Sequence, residues 1–326
     1  MTAERYNPAM FPNALILTGP TACGKTALAL AVAPRLGAEV VATDSMTVYR
    51  GMDVGTAKPT AAERAAVPHH LVDELDPSES GTVAWWLGRA AAVSRELAAR
   101  GKRPLFVGGT PFYLKALLHG LFDGPPGDPE LRQRLEAEAE RVGKEALHAR
   151  LAAADAKTAA RLHPNDVRRV VRALEVFELT GKPISAWQQG WDTAAFAGES
   201  APPPAAIPGV VLELPREMLY DRINRRVGAM LDAGWLDEAR RLRERPISRE
   251  AAQALGYREL WDYLDTPGAD LDATADQIRT RTRQFAKRQL TWFRHLPTLV
   301  GVPADAPDAA EQALRAWGAV TSAAGS

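Results

Sequence analysis

The chain has 326 residues, 46% hydrophobic and 25% charged, with 40 Lys and Arg balanced by 40 Asp and Glu. That length buries a large core in one big domain or two smaller ones, and the composition excludes a disordered or fibrous chain. A lone cysteine, Cys23, excludes an internal disulfide and a cysteine-built zinc site, while zero net charge excludes a uniformly basic surface but not segregated basic faces. The first thirteen residues lack the basic stretch and apolar core of a secretory leader, and no apolar run is long enough to span a bilayer. The expectation is a cytoplasmic enzyme with no membrane partner.

Residues 14–18 read as a buried strand and 27–33 as a helix. Between them, Gly19-Pro-Thr-Ala-Cys-Gly-Lys-Thr26 fills every fixed position of the phosphate-loop pattern G-x-x-x-x-G-K-S/T, in the strand–loop–helix setting the motif needs. Gly19 and Gly24 let the backbone turn its N–H groups inward, so that with Thr21, Ala22 and Cys23 it forms an anion cradle. Lys25 adds a compact positive charge, the Thr26 hydroxyl suits a magnesium ion, and the positive end of the helix dipole points at the anion. This implies a diphosphate or triphosphate without saying which.

A second apolar strand over 38–43 ends at Asp44-Ser45, and a looped stretch follows over 46–68. His69-His70 lacks carboxylate or thiol neighbours at ligand spacing and reads as a structural turn rather than a metal site. An amphipathic helix over 83–100 closes at Gly101; a third strand over 103–107 runs into Gly108-Gly-Thr110, and a helix over 112–118 follows. Strands alternating with helices in this way predict a doubly wound parallel sheet, an α/β fold like that of P-loop NTPases. The phosphate loop, Asp44-Ser45 and Gly109-Thr110 all lie at strand C-terminal ends, where ligands bind in such sheets.

At 123–127 the alternation stops. Asp128 caps a charged helix through 140 with Pro129 at its first position, and helical patterns continue over 144–162 and from an Asn165 cap to Thr180. An Ala-, Pro- and Gly-rich return linker over 190–209 leads to a strand over 210–214. The expected organisation is therefore a core of 1–124 and 205–326 with an all-helical insertion, 125–204, of about 80 residues, within the usual size of a domain. After 214 the chain reads as helical over 216–233, 235–245, 249–264 and 274–296. The last helix has Ile278, Phe285 and Trp292 at heptad spacing, with Arg279, Arg281, Arg283, Lys287, Arg288 and Arg294 around them and no acidic residue between Asp276 and His295. Arg168 and Arg172, beside Arg169, share a face of an insertion helix at i, i+4. Two basic helices in different lobes suggest a groove that meets a phosphate backbone.

Asp44 suits a magnesium ligand, a general base or a turn cap; Thr110 suits a hydrogen bond to a phosphoryl oxygen or a turn; Arg222 suits developing charge or a surface ion pair. Pattern alone leaves a small-molecule kinase, a transferase that holds a diphosphate leaving group, and a nucleotide switch or RNA-binding module. The switch is weakened by the lack of an N-K-x-D guanine motif.

Taken together, Asp44-Ser-Met-Thr-Val-Tyr-Arg50, Asp53-Val-Gly-Thr-Ala-Lys-Pro59, Pro68-His-His-Leu71, Val107-Gly-Gly-Thr110, His163-Pro-Asn-Asp166, Arg172-Ala-Leu-Glu-Val176, Leu255-Gly-Tyr257 and Thr282-Arg-Gln-Phe-Ala-Lys-Arg-Gln289 follow the phosphate loop in an order that resembles the tRNA dimethylallyltransferases. Cys23 stands where that family commonly has serine, leaving a thiol in the phosphate loop, and Thr47 where glutamine is frequent. The resemblance implies magnesium-dependent transfer of a dimethylallyl group from dimethylallyl diphosphate to N6 of the adenosine 3′ to a tRNA anticodon, by a monomer. Adenine mononucleotides are the alternative acceptor, as in related enzymes. It further implies that Asp44 is the base, Thr110 and Arg222 assist the leaving group, and Thr26 and Ser45 place the metal. Contacts to tRNA are implied for Asp44, Ser45, Met46, Thr47, Arg132, Arg168, Arg169, Val170, Val171, Arg172, Gln253, Gly256, Tyr257, Arg258, Arg283 and Lys287.

Overall fold

The computed structural model describes residues 10–122, 124–188, 207–296 and 299–323. They form two compact units, one of Met1–Gly120 with Pro202–Ser326 and one of Leu121–Ala201.

In the first unit the order is β1 (Leu15–Thr18), α1 (Lys25–Leu36), β2 (Ala38–Ala42), α2 (Ala61–Ala66), β3 (His69–His70), α3 (Val83–Ala99), β4 (Arg103–Gly108) and α4 (Pro111–His119). The second unit supplies α5 (Pro129–Val142), α6 (Lys144–Ala154), α7 (Ala156–Ala159), α8 (Val167–Thr180) and α9 (Ile184–Trp187). The chain then returns through β5 (Gly209–Glu213), α10 (Arg216–Asp232), α11 (Trp235–Arg243), α12 (Tyr257–Asp265), α13 (Leu271–Phe293), β6 (Leu299–Pro303) and α14 (Ala309–Ala323).

The six strands lie in the order β3-β2-β4-β1-β5-β6 and every pairing is parallel. Apolar residues at successive strand positions serve opposite faces. Ile16, Phe106 and Val211 pack with Trp86, Ala90 and Leu97 of α3 and Leu114 and Leu117 of α4. Leu15, Leu17, Leu105, Val210 and Leu212 pack with Val32 of α1, Ile223 of α10, Ala286 of α13 and Trp317 of α14. A sheet covered on both faces explains the nearly unbroken apolar strands. The β1–β4 register pairs Thr18 with Gly108, and β2–β4 pairs Ala42 with Val107, so three strands end level and their loops share one edge. Gly108 is needed there, since a Cβ would collide with the Thr43 backbone.

The helical unit has its own core of Leu131, Leu135, Leu147, Leu151, Val170, Val171, Leu174 and Val176. Asp128 caps α5 through Oδ1, which accepts the Glu130 and Leu131 N–H groups at 3.0 Å each.

Several sequence expectations change. His69-His70 is an edge strand, not a turn, with His70 Nε2 2.7 Å from Glu39 Oε2. The stretch read as loop over 46–68 contains α2, started by a Thr60–Glu63 capping box. The helical pattern over 144–162 is two helices, the chain restarting at Asp155, which caps α7. The helix read over 249–264 splits into a 3₁₀ turn, Ala251–Gln253, and α12, because Gly256 (φ 92°) packs its Cα against the Trp235 ring. The cap expected at Asn165 falls to Asp166. The C-terminal part is not all helical: β6 extends the sheet, and with only Val302 of its five residues buried its sequence lacks a core strand's pattern. On α13 the buried positions are Thr274, Ala275, Ile278, Ala286, Gln289 and Phe293, so the heptad line through Phe285 and Trp292 lies beside the true stripe.

Candidate active site

The phosphate loop leaves β1 and enters α1, with Gly24 in the left-handed region (φ 103°) as N-cap and Ala22 also at positive φ (64°). Lys25 Nζ donates to Gly19 O at 3.0 Å and Pro20 O at 2.8 Å, which folds the loop over its own lysine. Cys23 is fully buried among Leu17, Val32 and Leu212, with its Sγ 3.9 Å from Lys25 Nζ beneath the loop. Thiol titration with a disulfide reagent should therefore find Cys23 unreactive in the folded protein and fully reactive in denaturant.

The β2 and β4 loops flank the cradle. Asp44 Oδ1 accepts the Met46 N–H at 2.8 Å and the Thr47 N–H at 3.3 Å, leaving Oδ2 outside this turn. Thr110 N–H donates to Thr43 O at 3.3 Å, and Ser45 N–H donates to Thr110 Oγ1 at 3.3 Å. Thus Asp44, Ser45 and Thr110, 66 positions apart at the extremes of the sequence numbering, belong to one hydrogen-bonded pair of turns.

Arginines arrive from α10. Arg222 Nη1 donates to Cys23 O at 3.3 Å, placing its guanidinium against the phosphate loop. One turn later, Arg226 feels the Asp44 carboxylate: burial lowers its pKa from the ordinary value, while Asp44 and Cys23 act in the opposite direction. Across the crevice floor, Gln289 of α13 accepts the Thr21 N–H at 2.9 Å and donates to Gly109 O at 2.6 Å.

The Asp53-Val-Gly-Thr-Ala-Lys-Pro59 segment is pinned by the buried Glu238 of α11. Its Oε2 accepts the Asp53 and Val54 N–H groups at 2.9 Å each, and Oε1 accepts the Gly55 N–H at 3.0 Å and the Tyr257 hydroxyl at 2.5 Å. Burial, then the Glu238 charge, pushes the Tyr257 phenol above its ordinary pKa. Lys58, also buried, donates to Tyr49 O at 2.6 Å, Asp53 Oδ1 at 2.6 Å and Asp73 Oδ1 at 2.5 Å.

Not every residue expected to meet RNA presents its side chain. Tyr257 is buried under Glu238; Gly256 is buried against Trp235; Thr47 is buried with its hydroxyl unpartnered among the described residues; Val170 and Val171 face the helical core. Each bears an apolar or backbone-packing role that motif position alone does not reveal. Arg132 and Arg172 turn inward to the buried Glu175, at 2.8 Å and 2.5 Å, and Arg172 also donates to Pro125 O at 2.7 Å. On α13, Arg279 pairs with Asp276 and Arg281 with Glu259, so the basic run is partly neutralised from outside its own stretch. Arg283 donates to Asn224 Oδ1 at 2.7 Å. Arg169 is exposed beside Asp166, at 3.3 Å, and Gln253, Arg258 and Lys287 are exposed. Met46 is half-buried, and Arg168 is exposed.

Residues 47–296 match the family model described as IPP transferase, and residues 12–74 match that of isopentenyl transferase. The chain belongs to the IPP transferase family. Among its relatives, a tRNA dimethylallyltransferase of Methylibium petroleiphilum is 49% identical over 307 residues, covering 93% of this chain and 92% of that protein. One of Shouchella clausii is 44% identical over 296 residues, covering 90% and 92%. The crystal structure of a Bacillus halodurans tRNA isopentenylpyrophosphate transferase, 39% identical, superposes with a TM-score of 0.65 over 95% of this chain and 96% of that one. A eukaryotic dimethylallyltransferase acting on tRNA, 27% identical, gives 0.71 over 89% and 73%.

Within this IPP transferase chain, the sequence reading missed Arg226, Gln289 and Glu238 as parts of the site. Arg226 has a legible signal, i, i+4 spacing from Arg222, whereas Gln289 and Glu238 act through backbone groups that only the fold brings near.

Proposed function

We propose that this protein transfers the dimethylallyl group of dimethylallyl diphosphate to N6 of the adenosine 3′ to the anticodon in tRNA, releasing diphosphate. The observation that supports it most is the meeting, in an IPP transferase chain, of the phosphate loop with Asp44 and Thr110 at one sheet edge. The loop N–H groups from Gly24 to Thr26, Lys25 and Arg222 hold the diphosphate and neutralise it as it leaves. The bond from the allylic carbon to the diphosphate oxygen breaks, a bond to N6 forms, and the N6 proton passes to Asp44. Thr110 donates its hydroxyl to the departing oxygen. To present N6 the adenosine leaves the anticodon-loop stack, which costs less in a loop than in a duplex.

Magnesium fits the residues present. Among the described residues no group of three or more His, Cys, Asp and Glu forms a protein cage. The crevice offers the hydroxyls of Thr26 and Ser45, hard oxygen donors suited to an ion that takes its other ligands from diphosphate and water. Such an ion supplies charge neutralisation of the leaving group. Exposed Arg168, Arg169, Gln253, Arg258 and Lys287, with Arg283, are assigned to the RNA backbone and loop. No described helix is long and apolar enough to cross a membrane; the proposed action on tRNA implies the cytoplasm. A monomer is the proposed working unit.

Incubating the protein with unmodified tRNA, magnesium and either dimethylallyl diphosphate or ATP, then weighing the nucleosides, tests this. A five-carbon gain on adenosine is expected. Phosphate transfer from ATP with the prenyl donor untouched would point to a kinase, and prenylation of AMP but not tRNA to a free-nucleotide enzyme.

A further inference from the structure

We infer that Gln289 is a positioning residue, a clasp that sets the separation between the diphosphate cradle and the turn carrying Thr110. The inference rests on the proposed transfer for what that separation does. Gln289 is 2% exposed on α13. Its Oε1 accepts the Thr21 N–H at 2.9 Å, inside the cradle, and its Nε2 donates to Gly109 O at 2.6 Å, one residue before Thr110. The β1–β4 ladder ends at the Thr18–Gly108 pair, which Thr18 Oγ1 ties to Gly108 O at 2.8 Å. Beyond it the Gln289 amide adds the next rung between the two loops.

The chemistry of that rung is specific. One N–H and one C=O must be met from a single planar group, which a carboxamide does and a carboxylate does not. Ionised glutamate accepts from Thr21 but sets negative charge against Gly109 O; leucine leaves both groups without partners. Because transfer needs the departing oxygen, the allylic carbon and N6 in line, a small change in loop separation falls on the chemical step rather than on RNA binding.

The test is Gln289→Glu in the full chain, compared with wild type at each pH from 6 to 8.5. The expected result at pH 8 is a loss of about 50-fold in kcat, the scale of a buried hydrogen bond replaced by repulsion, with KM for tRNA unchanged. As pH falls the loss shrinks relative to wild type. Burial and the facing carbonyl raise the new carboxyl's pKa against the opposing pull of the Lys25 ammonium beside Gly109, and once protonated it donates to Gly109 O as the amide does. A residue that only stabilises the fold would show unchanged kcat below its melting temperature. Wild-type kcat at pH 8, or a deficit constant across the range, overturns the inference. Should Gln289→Glu not fold, Gln289→Met serves instead, since it keeps the length of the side chain and makes neither hydrogen bond. The same loss of kcat is expected, and normal kcat overturns the inference. Titration with inorganic diphosphate and magnesium separates this from the proposed reaction. Weaker diphosphate binding by Gln289→Glu supports the clasp even if wild type fails to prenylate tRNA, whereas equal binding removes it.

Discussion

Asp44→Ala is expected to lower turnover by about 10³-fold, within the range for loss of a positioned general base, while inorganic diphosphate with magnesium binds within about two-fold of wild type. An exocyclic amine on a purine is a weak nucleophile, so removing its proton during attack is where a carboxylate has the most to contribute. Asp44 Oδ1 is committed to the Met46 and Thr47 N–H groups, which fixes the carboxylate plane and leaves its other oxygen for the amine. Asp44→Asn separates the two functions, because its amide oxygen still closes the turn but its other end cannot take a proton. The alanine and asparagine variants should therefore be about equally slow in single-turnover transfer, with the asparagine variant closer to wild type in stability. Near-normal turnover by Asp44→Asn would remove Asp44 from the role of base.

Glu238→Ala is expected to destabilise the protein by about 3 kcal/mol, read as a shift in the midpoint of urea unfolding. One carboxylate accepts from three consecutive backbone N–H groups and from Tyr257. The phenol is fully buried and bears most of the cost, whereas the loop amides are only partly covered and recover some hydration. Glu238→Gln should lose less, since its amide oxygen still accepts while its NH₂ faces a donor. A midpoint unchanged in Glu238→Ala would show that the Asp53–Lys58 turn holds itself without this anchor.

The phosphate loop was legible because its chemistry is local: a strand, fixed glycines, a lysine and a helix follow one another in sequence. The doubly wound sheet was legible for the same reason, since each buried strand announces itself by an apolar run. Legibility failed where a residue's role depends on a distant partner. Glu238, 183 positions from Gly55, and Gln289, 268 positions from Thr21, look like ordinary polar residues of amphipathic helices until the fold closes. Arg132 and Arg172 failed in the opposite direction, since both look available to a phosphate backbone and both are turned inward by Glu175. Strand β6 was lost because an edge strand needs only one buried side chain.

The turns at the ends of β2 and β4 are sewn together through Thr43, Ser45 and Thr110, with the bare Cα of Gly108 pressed on the Thr43 backbone. In the proposed transfer, proton acceptor and hydroxyl therefore do not have to find one another afresh in every catalytic cycle. The entropy of bringing them together is lost once, during folding, and an arriving substrate meets a pair already in register.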